Sequence, residues 1–250
     1  MSSAGASGSP RGRPGPHTRR PRFTRGRIAQ AALEIADREG FAAVTMRRVA
    51  AELGAGTMTL YHYVRTKEDL VALMDDALMA AALVPEEELC GSWRVALTLI
   101  ARRTRDLLVA HPWSLTSFQD SGFGPHALRH FEQSLSAIAG LELDRAARLE
   151  LLALVDDYTF GNALHTAEAL RRAAIARRDP AMLGRRIEEG LEQLRTGDFP
   201  NTVALFGGAD PPAALDPSAG PPMDSESLER QFERGLEAVL DGAAARWRLG

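Results

Sequence analysis

The stretch VTMRRVAAELGAGTMTLYHYVRTKEDL, residues 44–70, decides how the chain is read. Thr45 opens a short helix whose apolar residues Met46, Val49, Ala50 and Leu53 fall at i, i+3, i+4 and i+7, one stripe of two turns. Gly54-Ala55-Gly56 makes a tight turn, and Thr57 to Tyr63 form another short helix. Thr66 caps the helix that follows, with Asp69 at its third position approximating a capping box and Leu70, Leu73, Met74, Ala77, Leu78 and Ala81 as its stripe. Two short helices across a glycine turn are the helix-turn-helix design, in which the first holds the second against a duplex and the second enters the major groove.

The surface of that second helix is unusual. Thr57, Met58, Thr59, Tyr61, His62 and Tyr63 are small or aromatic, with no acid among them. Threonine hydroxyls bond to base edges or phosphates, and the threonine methyl and Met58 suit a thymine methyl. Tyrosine hydroxyls and Lys67 suit phosphate oxygens, and Lys67 stands where a helix start favours an anion. Tyr61 is read either as a phosphate contact or as a core residue, and the pattern does not orient His62.

On the amino-terminal side, Thr24 is the N-cap of a helix with Ile28, Ala31, Ala32 and Ile35 on one face, stopped by Gly40. Residues 1–23 are a Ser-, Gly-, Pro- and Arg-rich arm, read as disordered. Within it Pro-Arg-Gly-Arg-Pro, residues 10–14, is similar to a minor-groove AT-hook core; general attraction to phosphate is the other reading. Residues 1–67 hold twelve basic residues against four acidic ones, a net +8. The chain as a whole carries −3, so the remainder carries −11. A basic head on an acidic body gives one face to a polyanion and leaves the other for something else.

Beyond residue 83 the periodicity predicts helices near 92–110, 125–139, 144–176, 180–195 and 225–246, an irregular segment at 111–124 and a flexible loop at 197–223. No stretch alternates long enough to make a sheet. No apolar run approaches the ~18–20 residues of a membrane span, and the amino terminus lacks the apolar core of a secretory signal. The lone Cys90 excludes an intramolecular disulfide and a multi-cysteine zinc site. His126 and His130 are four apart on one helix face without an evident third ligand, which makes them a surface pair rather than a metal site. No cofactor is expected, and a bacterial-type cytoplasm is the expected compartment.

The segment L-G-x-G-x-x-T-L-Y-x-Y-V-x-x-K-E-x-L, Leu53 to Leu70, resembles the tetracycline-repressor (TetR) family of bacterial regulators, as does the preceding helix with A-L-E-I-A and E-G-F. Fainter likeness lies in Tyr158 to Glu168, similar to the long dimer helix of that family, and in Phe232 to Gly242, similar to its last helix. The resemblance implies that Arg47 and the face of Thr57, Met58 and Thr59 read bases, while Thr45, Tyr61, Tyr63 and Lys67 anchor phosphates. Met58 stands where Pro or a small residue is common in the family. Phe118 and Ser134 stand where the tetracycline repressor would have a histidine and a glutamine, so neither tetracycline nor magnesium is carried over.

The expected architecture is therefore all-α. A basic arm (1–23) leads into a three-helix DNA-binding domain with the helix-turn-helix (24–67). A larger helical effector-binding and dimerisation domain follows (68–250). Trp113, Phe118, Phe123 and Phe131 are candidates to line an effector pocket, with Asp157, Tyr158 and His165 as its polar groups; the alternative is that the aromatics are core and the polar groups face solvent or a partner. An apolar or aromatic organic ligand follows, with a cation for Asp157 to meet. Leu236, Val239 and Leu240 are expected to form an apolar patch for a homodimer. The expected function is a ligand-responsive repressor released from a palindromic double-stranded DNA operator. The competing readings are a helical enzyme on the same fold, against which no nucleophile elbow or phosphate-cradling glycine loop is found, and a DNA-binding protein without an effector.

Overall fold

The computed structural model describes residues 23–117, 124–205 and 225–249, and among these every regular element is a helix. The basic arm up to residue 22, Phe118, Phe123 and residues 206–224 lie outside the described residues.

Three short helices open the fold: α1 (Arg25–Glu39), α2 (Met46–Glu52) and α3 (Thr57–Tyr61). Threonine side chains start the first two. Thr24 accepts from the Arg27 N–H at 3.2 Å and Thr45 from the Arg48 N–H at 3.1 Å, each satisfying a donor with no partner inside the helix. Gly54, at φ +62°, makes the left-handed turn between α2 and α3 that a side chain would strain. The fourth helix, α4 (Lys67–Ala82), begins with a full capping box: Asp69 N–H donates to Thr66 Oγ1, and Asp69 Oδ2 accepts from Thr66 N–H.

One core gathers Ile28, Ala32 and Ile35 of α1, Val49 of α2, Leu60 of α3, and Leu70, Met74 and Leu78 of α4. The first half of α4 is thus part of the amino-terminal unit. Its second half is held by α7 (Pro125–Ala137). The Asp76 carboxylate accepts from the backbone N–H of His126 at 2.9 Å and meets its Nδ1 at 2.8 Å, and the Gln133 amide bonds both backbone groups of Val84.

The larger core lies among α5 (Trp93–Ala110), α8 (Arg145–Arg178) and α11 (Ser225–Trp247). Trp93, Leu97, Leu151, Val155, Phe232, Leu236 and Leu240 fill it. Tyr158 of α8 locks onto α11: its ring stacks on Phe232 with centroids 5.7 Å apart, and its hydroxyl donates to Phe232 O at 3.0 Å. A Cβ at residue 235 would collide with that phenol, so Gly235 is needed for the approach. Between α5 and α7 lies the short α6 (Ser114–Ser117), and α9 (Pro180–Arg195) and α10 (Pro200–Leu205) extend from α8.

Three expectations change. Pro200–Leu205 is helical rather than part of a loop at 197–223; proline suits a first helical turn, and Asn-Thr-Val-Ala-Leu contains no breaker. Leu236 and Leu240 are not an exposed patch but are buried within the protomer, and Val239 packs against the same core, because the apolar stripe of α11 faces α5 and α8. His126 and His130 are not a surface pair: His126 serves Asp76 on α4, whereas the His130 Nε2 meets Thr104 Oγ1 on α5 at 2.9 Å.

Leu70→Ala tests the shared role of α4. The side chain is fully buried, and its truncation should destabilise the protein by about 2–5 kcal/mol in urea denaturation. A loss below about 1 kcal/mol would mean that α4 is not part of the amino-terminal core.

Candidate nucleic-acid interface

Leu60 and Val64 are buried and fix α3 against the amino-terminal core. The opposite face of α3 therefore points outward. Met58 is 74% exposed, Tyr61 is 43% exposed, His62 is exposed, and Thr57 and Thr59 are half-buried beside them. Tyr63, by contrast, is half-buried and packs against the core. The two tyrosines thus differ in depth, and Tyr61 is the one presented to solvent. His62 joins the outward face; the signal for it is the four-residue spacing from Met58, opposite Leu60.

Around α3 lie the groups that suit phosphate. Thr45 is exposed, and because its oxygen accepts from Arg48 N–H, its own O–H remains a donor. Arg47 is exposed and makes no ion pair among the described residues. Its neighbour Arg48 is engaged, bridging Glu39 at 2.6 Å and Glu52 at 2.7 Å, while Arg38 joins the same two acids. Bonds from Arg48 and then Arg38 hold the Glu39 carboxyl down to about 2. This network ties the end of α1 to α2 and leaves Arg47 as the outward cation of the pair.

Lys67 is exposed at the first residue of α4, and its Nζ lies 5.8 Å over the Phe41 ring. The helix start is only partly open to an anion, because Asp69 occupies the N–H groups of Arg65 and Thr66. Phe41 in turn stacks on Trp113, with centroids 5.4 Å apart and planes within 3°. Trp113 Nε1–H donates to Asp37 at 2.8 Å, and His111 Nδ1 meets the same oxygen at 2.8 Å. The end of α5 therefore grips the end of α1.

That contact removes Trp113 from the expected pocket. The structure does not bring Trp113, Phe131, Asp157, Tyr158 and His165 together. Phe131 lines a separate surface hollow of about 390 Å³ with Leu135, Arg145, Arg148 and Leu149. The Tyr158 hydroxyl is engaged with α11, and burial raises its pKa above the ordinary phenol value. Asp157 and His165 are exposed on α8. A wider groove of about 900 Å³ runs between the end of α4 and α7, lined by Val84, Leu128 and Gln133 among others.

Comparison with known proteins adds to this geometry. The family model for bacterial regulatory proteins of the tetR family matches residues 28–74, and that for the tetracyclin repressor-like C-terminal domain matches residues 84–247. The chain belongs to the TetR family. The HTH-type transcriptional repressor DrrR1 of Streptomyces coeruleorubidus is 34% identical over 227 residues, which cover 89% of this chain and 78% of that protein. An HTH-type transcriptional regulator of Saccharopolyspora erythraea is 30% identical over 246 residues, 97% of this chain and 94% of that one. The structure of ActR from Streptomyces coelicolor in complex with actinorhodin is similar at a TM-score of 0.68 and 26% identity, covering 90% of this chain and 97% of ActR. This TetR-family chain is a helix-turn-helix transcriptional regulator, and no helix among its described residues is long and apolar enough to cross a membrane.

The exposed Glu39 network makes a modest, pH-dependent contribution to stability. A carboxyl whose folded pKa is depressed contributes stability above its unfolded value of 4.5, and that contribution is lost as pH falls toward about 2. Circular-dichroism melts should show the loss across that window, and Glu39→Gln should flatten it. An unchanged pH profile in Glu39→Gln would place the acid sensitivity elsewhere.

Proposed function

We propose that the protein is a dimeric repressor that reads a palindromic operator with the outward face of α3 and releases it when a small organic effector binds the large domain. The observation that carries the reading is that face: Thr57, Met58 and Thr59 stand beside Tyr61 and His62 on a helix anchored by Leu60, with no acid on the surface presented to the duplex. Met58, the two threonines and Arg47 contact base edges. Thr45, Tyr61 and Lys67 contact phosphates, and Tyr63 acts from a more buried position.

The first half of α4 belongs with residues 24–66 as the DNA-binding unit, and the remaining helices form the effector and dimerisation unit. Repression is supported by the likeness to the repressor DrrR1, and an organic effector by the likeness to ActR, which has been crystallised with actinorhodin and with (S)-DNPA. The protein acts by binding rather than by catalysis, and it acts in the bacterial cytoplasm, where its operator is.

Dimerisation uses the outward face of α8. Leu164, 53% exposed, and Ile175 lie about 20° apart around that helix, with Gly161 and Asp157 beside them. Ala238 and Gly242 of α11 are exposed small residues that permit close helix approach. Two-fold symmetry then sets the reading heads about one helical turn, roughly 34–36 Å, apart. Leu164→Glu should give folded monomers in sedimentation; a variant that stays dimeric would move the interface off this face.

Operator binding should be steeply salt-dependent. For a dimer that touches about six to ten phosphates, affinity should fall roughly 10³–10⁵-fold between about 50 and 200 mM salt. Lys67→Ala should weaken binding to all sequences alike and reduce the slope by about 1 for each phosphate no longer neutralised. Fluorescence anisotropy on selected and random duplexes reads both. A variant with altered base preference and an unaltered slope would contradict the phosphate role.

A further inference from the structure

The large domain buries a cation. Arg105 of α5 keeps only 7% of its side chain exposed. Its Nε donates to Asn162 Oδ1 on α8 at 3.0 Å, and its guanidinium lies 4.9 Å over the Phe232 ring of α11. The carboxylate that meets it, Asp106 at 3.1 Å from Nη1, is the next residue in the chain and is 68% exposed. A solvated carboxylate balances a buried guanidinium weakly, because water competes for one partner and not for the other.

Donors around this cation outnumber acceptors. Asn162 Oδ1 accepts from Arg105 Nε and also from Thr166 Oγ1 at 3.3 Å, so both of its lone pairs are engaged. The amide nitrogen of Asn162 then has two N–H groups, and Nη2 of Arg105 has two more. Neither nitrogen has an acceptor among the described residues, and neither is sealed away from solvent. A structural tie between α5, α8 and α11 uses Nε and the ring contact and leaves these four donors free for water or a ligand. Next to it on α5, Thr104 meets His130, whose pKa is lowered by burial, so that pair adds no second cation here.

We infer that Arg105 and Asn162 anchor an anionic organic effector, a carboxylate carried on an apolar body, which accepts hydrogen bonds from Arg105 Nη2 and Asn162 Nδ2. This rests on the reading of the large domain as the effector-binding unit, and it reverses the charge expected from the sequence. Asp157, the group expected to meet a cationic ligand, is exposed on α8, whereas the buried charge of the domain at this point is positive. The fork of a guanidinium matches a carboxylate in two parallel bonds, and a neutral ester of the same shape forfeits the charge-assisted part.

The test uses the full-length protein and a probe panel of 9-anthracenecarboxylate, 2-naphthoate and octanoate, each paired with its methyl ester and with the corresponding primary amine. Affinities are read by thermal shift and calorimetry, and each binder is titrated into the operator complex. At least one acid should bind about 10-fold or more tighter than its ester. Arg105→Gln should weaken the acid by about 10- to 100-fold and bring the acid-to-ester ratio close to one. Arg105→Lys and Asn162→Ala should each lower the ratio in part, and they carry the test if Arg105→Gln does not fold. A merely structural arginine would weaken acid and ester alike and leave the ratio unchanged, which overturns the inference. Esters or amines that bind as tightly as the acids overturn it too, as does failure of every acid to bind. Release of DNA by a neutral or cationic compound alone would leave the effector reading standing and remove the anion site. Release by no compound of any class would count against both.

Discussion

The burial of α4 in two places at once is the constraint on which the rest of the structure depends. Leu70, Met74 and Leu78 sit in the core that carries α3, while Asp76 at mid-helix and Val84 just past its end are bonded by α7. A sixteen-residue helix fixed in this way cannot tilt in one unit without disturbing the other. The contact of Trp113 with Phe41 and Asp37 adds a second joint to the same head. The outward face of α3 is therefore oriented by residues buried behind it.

Ligand response follows from this as thermodynamics rather than as a separate device. An effector shifts the operator affinity only by as much as it distinguishes two arrangements of the protein. A coupling of ~1–3 kcal/mol already changes affinity about 5–150-fold. The buried Arg105 joins α5 to α8 and α11, and α5 is also the helix whose end holds Trp113 against α1. A ligand that engages the guanidinium thus acts on the element that reaches the DNA-binding head.

Much of the fold was legible because its signals are local. The threonine caps at Thr24, Thr45 and Thr66, the stripe of Met46, Val49 and Ala50, and the turn at Gly54 each need only a few neighbouring residues to be read. The depth of Tyr61 against Tyr63 was not legible, since a helix of five residues is too short for periodicity to separate its faces. Trp113 falls among other aromatics in the sequence, yet its partner Asp37 lies 76 residues away. Leu236 and Leu240 are recognisably one stripe, but a stripe does not say whether its cover comes from the same chain or from a second one. Arg105 was legible only in part: it falls four residues after Ala101 and three before Leu108, on the apolar stripe of α5, but the spacing does not name the Asn162 and Phe232 that close over it.

The central claim is that α4 transmits the state of the large domain to the DNA-reading head. Pulsed electron spin resonance tests it directly, with spin labels at Glu34→Cys of both protomers in a Cys90→Ser background, which removes the exposed native thiol. The account predicts a single narrow distance between the heads that broadens when Asp76→Ala and Gln133→Ala remove the bonds that hold α4 and its end to α7. A distribution that is broad from the outset, or a narrow one that the release leaves unchanged, would contradict it.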